Sequence, residues 1–132
     1  MKKEFKRKLE ELGIFIVYLF GSRAIGRESR SSDVDIGVVL KESPSGKDTR
    51  DLYQNLYGLF AEIYPATRLD IVFLQAAPLS LQFSALEEGK VLFERDPKFT
   101  ADYENFVINQ YLDFRPVLDF FDQVTMERYA KA

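Results

Sequence analysis

The chain has 132 residues, 46% of them hydrophobic and 14% aromatic, enough apolar material for one core and a single domain over residues 1–132. Its net charge of −3 gives no general affinity for nucleic acid. Cysteine and histidine are both absent, which excludes disulfides, zinc–thiolate sites, Ser-His-Asp and Cys-His catalysis and every histidine-ligated metal, and leaves chemistry to carboxylates, hydroxyls, Lys, Arg and a hard cation.

Residues 3–12 are charged, with Phe5, Leu9 and Leu12 at helical spacing and Gly13 placed to end the helix. The apolar run Ile14–Phe20 then reads as a buried strand. Lys2, Lys3, Lys6, Arg7 and Lys8 ahead of it imitate a secretion signal. The run is only seven residues, however, Glu4, Glu10 and Glu11 interrupt the basic stretch, and no small-x-small cleavage site follows. It is also far below the roughly 18 apolar residues of a membrane span. A cytoplasmic location is therefore the expectation.

Gly21 breaks the strand, and residues 22–32 are small, polar and basic, a short turn or helix and then a loop. Asp33–Leu40 predicts a second strand, and Ser43-Pro44-Ser45-Gly46 a loop. Leu52, Leu56, Leu59, Phe60 and Ile63 recur at helical spacing until Pro65. Arg68–Leu74 predicts a third strand. A helix follows between Pro78 and Gly89, then a fourth short strand at Lys90–Glu94. Asp96-Pro97 reads as a cap with proline in the first turn of a long helix. Its expected apolar stripe is Phe99, Tyr103, Phe106, Val107, Tyr111, Phe114, Leu118 and Phe121, with a kink or break caused by Pro116 near 112–115. Phe120, Met126 and Tyr129 fall largely off that stripe and would suit a protein interface, while Asp113, Asp119 and Asp122 read as its solvated face. The pattern is α+β, a small mixed sheet packed by helices, with a core at about 14–95 and a C-terminal helical segment at about 97–130.

The chemistry concentrates in one stretch. Asp33 and Asp35 are two apart on a predicted strand, so both carboxylates leave one face, while Val34, Ile36, Val38 and Leu40 enter a core on the other. Paired carboxylates repel, and a divalent cation such as Mg²⁺ relieves the conflict. Asp70 is the sole charge in the run Leu69–Leu74. It faces the same metals if that strand lies beside Asp33–Leu40. Gly21 lets the backbone approach a phosphate, a following helical turn would aim free N–H groups at it, and Ser22 adds a hydroxyl donor. Arg23, Arg27 and Arg30 lie close enough in sequence to offset phosphate charge. Gly21 and Gly26 have the spacing of a Walker loop, but Arg27-Glu28 stands where Lys-Ser/Thr is required, and no dinucleotide glycine fingerprint is present.

Phe20-Gly21-Ser22-Arg23-Ala24-Ile25-Gly26-Arg27 and Ser32-Asp33-Val34-Asp35-Ile36 together resemble the signature of the DNA polymerase β nucleotidyltransferase superfamily, in the form of its minimal (MNT) branch. Leu69-Asp70-Ile71 and the stretch from Leu86 to Glu94 extend the resemblance over roughly residues 14–95. It implies that Gly21 and Ser22 hold a triphosphate, with Arg23 beside it. Asp33 and Asp35 would bind two Mg²⁺ ions, which Mn²⁺ can replace. Asp70 would complete the metal site and help deprotonate the acceptor hydroxyl. Proteins of this kind commonly act as antitoxins beside a HEPN-domain ribonuclease toxin, some by moving AMP from ATP onto a tyrosine of that toxin. The resemblance thus implies ATP as substrate, a hetero-oligomer with the toxin, and neither membrane nor direct nucleic-acid binding. Two rival readings stay open at this point: transfer to a small-molecule acceptor, and neutralisation of the toxin by binding alone.

Overall fold

β-branched and aromatic side chains stiffen the run Ile14–Phe20 and suit a strand covered on both faces. It forms β1 (Ile14–Phe20), an inner strand of a four-stranded sheet of order β3-β2-β1-β4. The computed structural model describes residues 2–21, 34–65 and 68–130. In chain order these form α1 (Lys3–Glu11), β1, β2 (Val34–Leu40), α2 (Arg50–Ile63), β3 (Leu69–Phe73), α3 (Leu79–Glu88), β4 (Lys90–Glu94) and α4 (Pro97–Ala130), with a 3₁₀ turn at Leu74–Ala76. β1 pairs antiparallel with β2 and β4, and β2 pairs parallel with β3, so the sheet is mixed as expected.

Each face of the sheet carries its own core. On one face, Leu9 of α1 and Leu56 and Phe60 of α2 pack over Val17, Val34, Ile36, Val38, Leu69 and Ile71. On the other, Ala85 of α3 and the partly buried Phe99 and Tyr103 of α4 pack over Ile16, Tyr18, Phe20 and Val39. A register shift between Ile14 and Ile16 lets Phe15 and Ile16, neighbours in sequence, join the same core.

The local signals at the element ends act as the sequence predicts. Gly13 takes φ 80° and its N–H bonds the Glu10 carbonyl, closing α1. Asp96 Oδ1 accepts the Lys98 N–H at 3.0 Å at the start of α4. Elsewhere the structure departs from expectation. β3 stops at Phe73, because Leu74 turns into the 3₁₀ segment and lays its side chain on Gly37. A Cβ on Gly37 would sit 2.8 Å from Leu74 Cδ1, so that strand position has no room for a side chain. Gln75 then bonds both the N–H and the carbonyl of Leu40, standing in for a ladder partner where β2 ends.

α4 differs more. It stays helical through Pro116, where a break was expected. Proline removes one hydrogen bond and strains one turn, and the ladder resumes on either side. The stripe read from its sequence is also too wide. Val107 is buried and Phe99, Tyr103 and Tyr111 are partly so, but Phe106 is 60% and Phe114 52% exposed. Phe106 sits about 100° round the helix from Val107, at the edge of the covered sector. Phe120 is exposed as expected.

Candidate active site

Three elements deliver the site to one end of the sheet. β1 runs out at Phe20, and Gly21 follows with φ 82°, a left-handed conformation that glycine adopts without strain. Antiparallel pairing sets Phe20 opposite Asp35, the second residue of β2. Parallel pairing sets Asp35 in register with Asp70, the second residue of β3. Neighbouring strands lie about 4.8 Å apart, and paired residues share a face. Val34, Ile36, Leu69 and Ile71 all point into the α1–α2 core, so alternation sends Asp35 and Asp70 together to the opposite face. The sequence left the placing of Asp70 conditional on strand order, and the parallel β2–β3 pair meets that condition.

Gly21 and Asp35 fit together closely. A Cβ built on Gly21 would lie 3.1 Å from Asp35 Cγ and would collide with Asp35 Oδ2. The glycine is therefore required twice, for its backbone conformation and for the space its missing side chain leaves to the carboxylate. Asp35 is half-buried and Asp70 exposed. Two carboxylates about 5 Å apart repel by about 1 kcal/mol in bulk water and about 3 kcal/mol at an effective dielectric of 20. Carboxylate oxygens in register on neighbouring strands, one half-buried and one exposed, suit a hard divalent cation. Asp35 and Asp70 are two of the three carboxylates read from the sequence. Asp33 lies outside the described residues, as do Ser22, Arg23, Arg27 and Arg30. Among the described residues no group of three acidic side chains comes together to hold an ion.

Two supports of the site went unread in the sequence. Gly89, legible only as a helix end, lets the C-terminus of α3 press against the end of β1. A Cβ there would stand 2.9 Å from the Leu19 carbonyl oxygen and collide with that of Ala85. Tyr18, two residues before Phe20, donates a hydrogen bond of 2.8 Å to Glu104 Oε1 and so ties α4 to β1 across 86 residues of chain. Burial, followed by the bond to Glu104, pushes the Tyr18 phenol far above its ordinary value, so it stays protonated. Tyr103 shifts the same way, chiefly by burial, and its hydroxyl bonds Gln82 Oε1 at 2.8 Å. A polar tip on an otherwise apolar strand is the signal that could have flagged Tyr18, but no spacing rule points to its partner.

The model of the polymerase beta nucleotidyltransferase family matches residues 3–98, and the chain belongs to that family. No curated protein matches the sequence. Several solved structures share the fold over nearly their whole length. One is a toxin–antitoxin crystallised with AMP-PNP, with 22% identity, 91% of this chain and 98% of that chain covered, and a TM-score of 0.70. Another is a complex of a tri-AMPylated Shewanella oneidensis HEPN toxin with an MNT antitoxin, with 20% identity, 95% and 99% covered, and a TM-score of 0.63. A third is the toxin–antitoxin MntA-HepT, with 19% identity, 94% and 99% covered, and a TM-score of 0.63. Among the described residues no helix is long and apolar enough to cross a membrane.

Proposed function

We propose that the whole chain acts as one antitoxin domain in the cytoplasm, moving AMP from ATP to a tyrosine hydroxyl of a partner HEPN ribonuclease toxin and so neutralising it. The observation that carries the reading is Asp35 in register with Asp70 and seated against the bare backbone of Gly21. It is supported by family membership and by the AMPylated toxin and the AMP-PNP found in complexes of this fold.

In this reading Gly21 offers its backbone, Ser22 its hydroxyl and Arg23 its guanidinium to the triphosphate. Asp33, Asp35 and Asp70 would hold two Mg²⁺ ions, which neutralise charge on the attacking and leaving oxygens when bound. Asp70, exposed at the start of β3, accepts the proton of the acceptor tyrosine. The tyrosine oxygen bonds to the α-phosphorus as the α–β bridging bond breaks, and pyrophosphate leaves. No histidine is required, consistent with its absence from the sequence.

The test is to incubate the chain with ATP, Mg²⁺ and the toxin encoded beside it, and to weigh the toxin. The expected result is a toxin heavier by one or more AMP units with the wild type and unmodified with Asp35→Ala. An unmodified toxin in both reactions refutes the reading.

A further inference from the structure

We propose that Arg68 binds phosphate at this site, holding an oxygen of the phosphate that is transferred and none of the pyrophosphate that leaves. The proposal rests on the proposed function only for the lie of the triphosphate, which has its tail at Gly21.

Arg68 stands one residue before β3. Its carbonyl oxygen accepts the Val34 N–H at 2.8 Å, so the parallel ladder of β2 and β3 already holds its backbone. Leu69 follows, 7% exposed, in the core toward α1 and α2. Side chains alternate along an extended chain, so Arg68 leaves the sheet on the other face, together with Asp70. The α-carbons of the two residues lie about 6.6 Å apart, with Arg68 nearer the end of the sheet. The Arg68 side chain is exposed, and among the described residues it forms no ion pair. A guanidinium is thus placed on the face of the two carboxylates by its backbone, with its donors unused.

Lys90 is the contrasting case. It opens β4 at the same end of the sheet, paired with Leu19, and is likewise exposed. Leu19 packs toward α1 and α2, so Lys90 lies on the face away from Asp35 and Asp70.

Strand order selects which phosphate Arg68 meets. β3 is the edge strand, with β2 between it and β1. Two strand spacings, about 10 Å, separate the strand of Gly21 from that of Arg68. In the proposed function the acceptor gives its proton to Asp70 on β3 and attacks opposite the leaving pyrophosphate. The pyrophosphate therefore lies on the β1 side and the transferred phosphate on the β3 side, beside Arg68. A planar guanidinium matches two oxygens of a phosphate, and its charge offsets the repulsion between phosphate and carboxylates.

The experiment measures the binding of two probes in Mg²⁺ buffer by calorimetry, with helix content checked by circular dichroism. One probe is an ATP analogue with a methylene bridge between the α and β phosphates, which transfer cannot consume. The other is pyrophosphate. Arg68→Gln is expected to bind the analogue about tenfold more weakly, for the loss of a charge-assisted hydrogen bond, and pyrophosphate within about twofold of wild type. Lys90→Gln should bind both probes as wild type does. Equal loss of both probes in a folded Arg68→Gln overturns the proposal, because Arg68 would then serve the leaving group. Wild-type affinity for the analogue also overturns it, as does a loss in Lys90→Gln as large as in Arg68→Gln. The toxin is weighed in parallel. A protein that binds the analogue through Arg68 yet never AMPylates the toxin refutes the proposed function and leaves the role of Arg68 standing. Toxin AMPylated normally by an Arg68→Gln of unchanged analogue affinity does the reverse.

Discussion

The two faces of the sheet are built by the same strands and do opposite work. Toward α1 and α2, the inner strands present Val34, Ile36 and Val38, all fully buried, beside Leu69 and Ile71. Toward α3 and α4, β2 and its edge neighbour β3 present Asp35 and Asp70 at one end, with Val39 of β2 and Tyr18 of β1 further in. In the proposed function, alternation with period two separates the roles, so a residue that stabilises and a residue that would react are immediate neighbours in the chain. The candidate site stands at one end of the sheet, where β1 ends and β2 and β3 begin.

That contrast can be broken from either side. The largest effect is expected at Asp35. Asp35→Ala should lower AMP transfer by about a thousandfold, the several kcal/mol of charge stabilisation that a metal site supplies. It should cost less stability than a core truncation, since the Asp35 side chain is only half-buried. Transfer assays and thermal melts on the same sample would show whether chemistry and stability separate as claimed. Ile36→Ala, one residue further on and facing the other way, should do the reverse. It should cost about 2–4 kcal/mol of stability in a denaturant titration, with activity per folded molecule unchanged. If it lowered activity as much as Asp35→Ala does, the division between faces would fail.

Gly21→Ala tests the seam between the two roles. Its Cβ requires both a left-handed conformation and the space of the Asp35 carboxylate, so about 1–2 kcal/mol of stability should go together with transfer activity. Full activity in a folded Gly21→Ala would show that Asp35 has other room. The smallest effect concerns the helix-covered part of the second face. Tyr18→Phe removes the bond to Glu104 and should cost about 1–2 kcal/mol. The folded state raises the proton affinity of Tyr18 and Tyr103 above the ordinary tyrosine value of 10.0. Stability should therefore be unaffected by these groups below that pH and fall as pH rises above it, because the unfolded chain loses those protons first. Tyr18→Phe should flatten that alkaline decline in pH-dependent melts, and an unchanged slope would remove Tyr18 as its source.

Local chemistry was legible because local rules act through neighbours. Gly13 and Asp96-Pro97 mark helix ends by what their own atoms do, and the Asp-x-Asp spacing assigns Asp35 a face whatever the sheet order. Period alone could not tell which side of α4 would be covered. Phe106 and Phe114 entered the apolar stripe on spacing, and both are exposed, since burial depends on where α3 lies and ends. A proline inside a helix predicts a lost hydrogen bond, and whether the helix stops is decided by the turns on either side.

By itself, the sequence determined that the chain has no histidine or cysteine chemistry, that Gly21 ends a buried strand, and that Asp35 leaves the face opposite Ile36. These follow from composition and from backbone periods that hold in any fold. Tertiary structure decided that β3 lies parallel beside β2, so that Asp70 meets Asp35, that Asp35 occupies the space of an absent Gly21 side chain, and that Tyr18 finds Glu104. Each is a contact between residues distant in the chain, set by which elements pack together, and no spacing along a strand or helix encodes it.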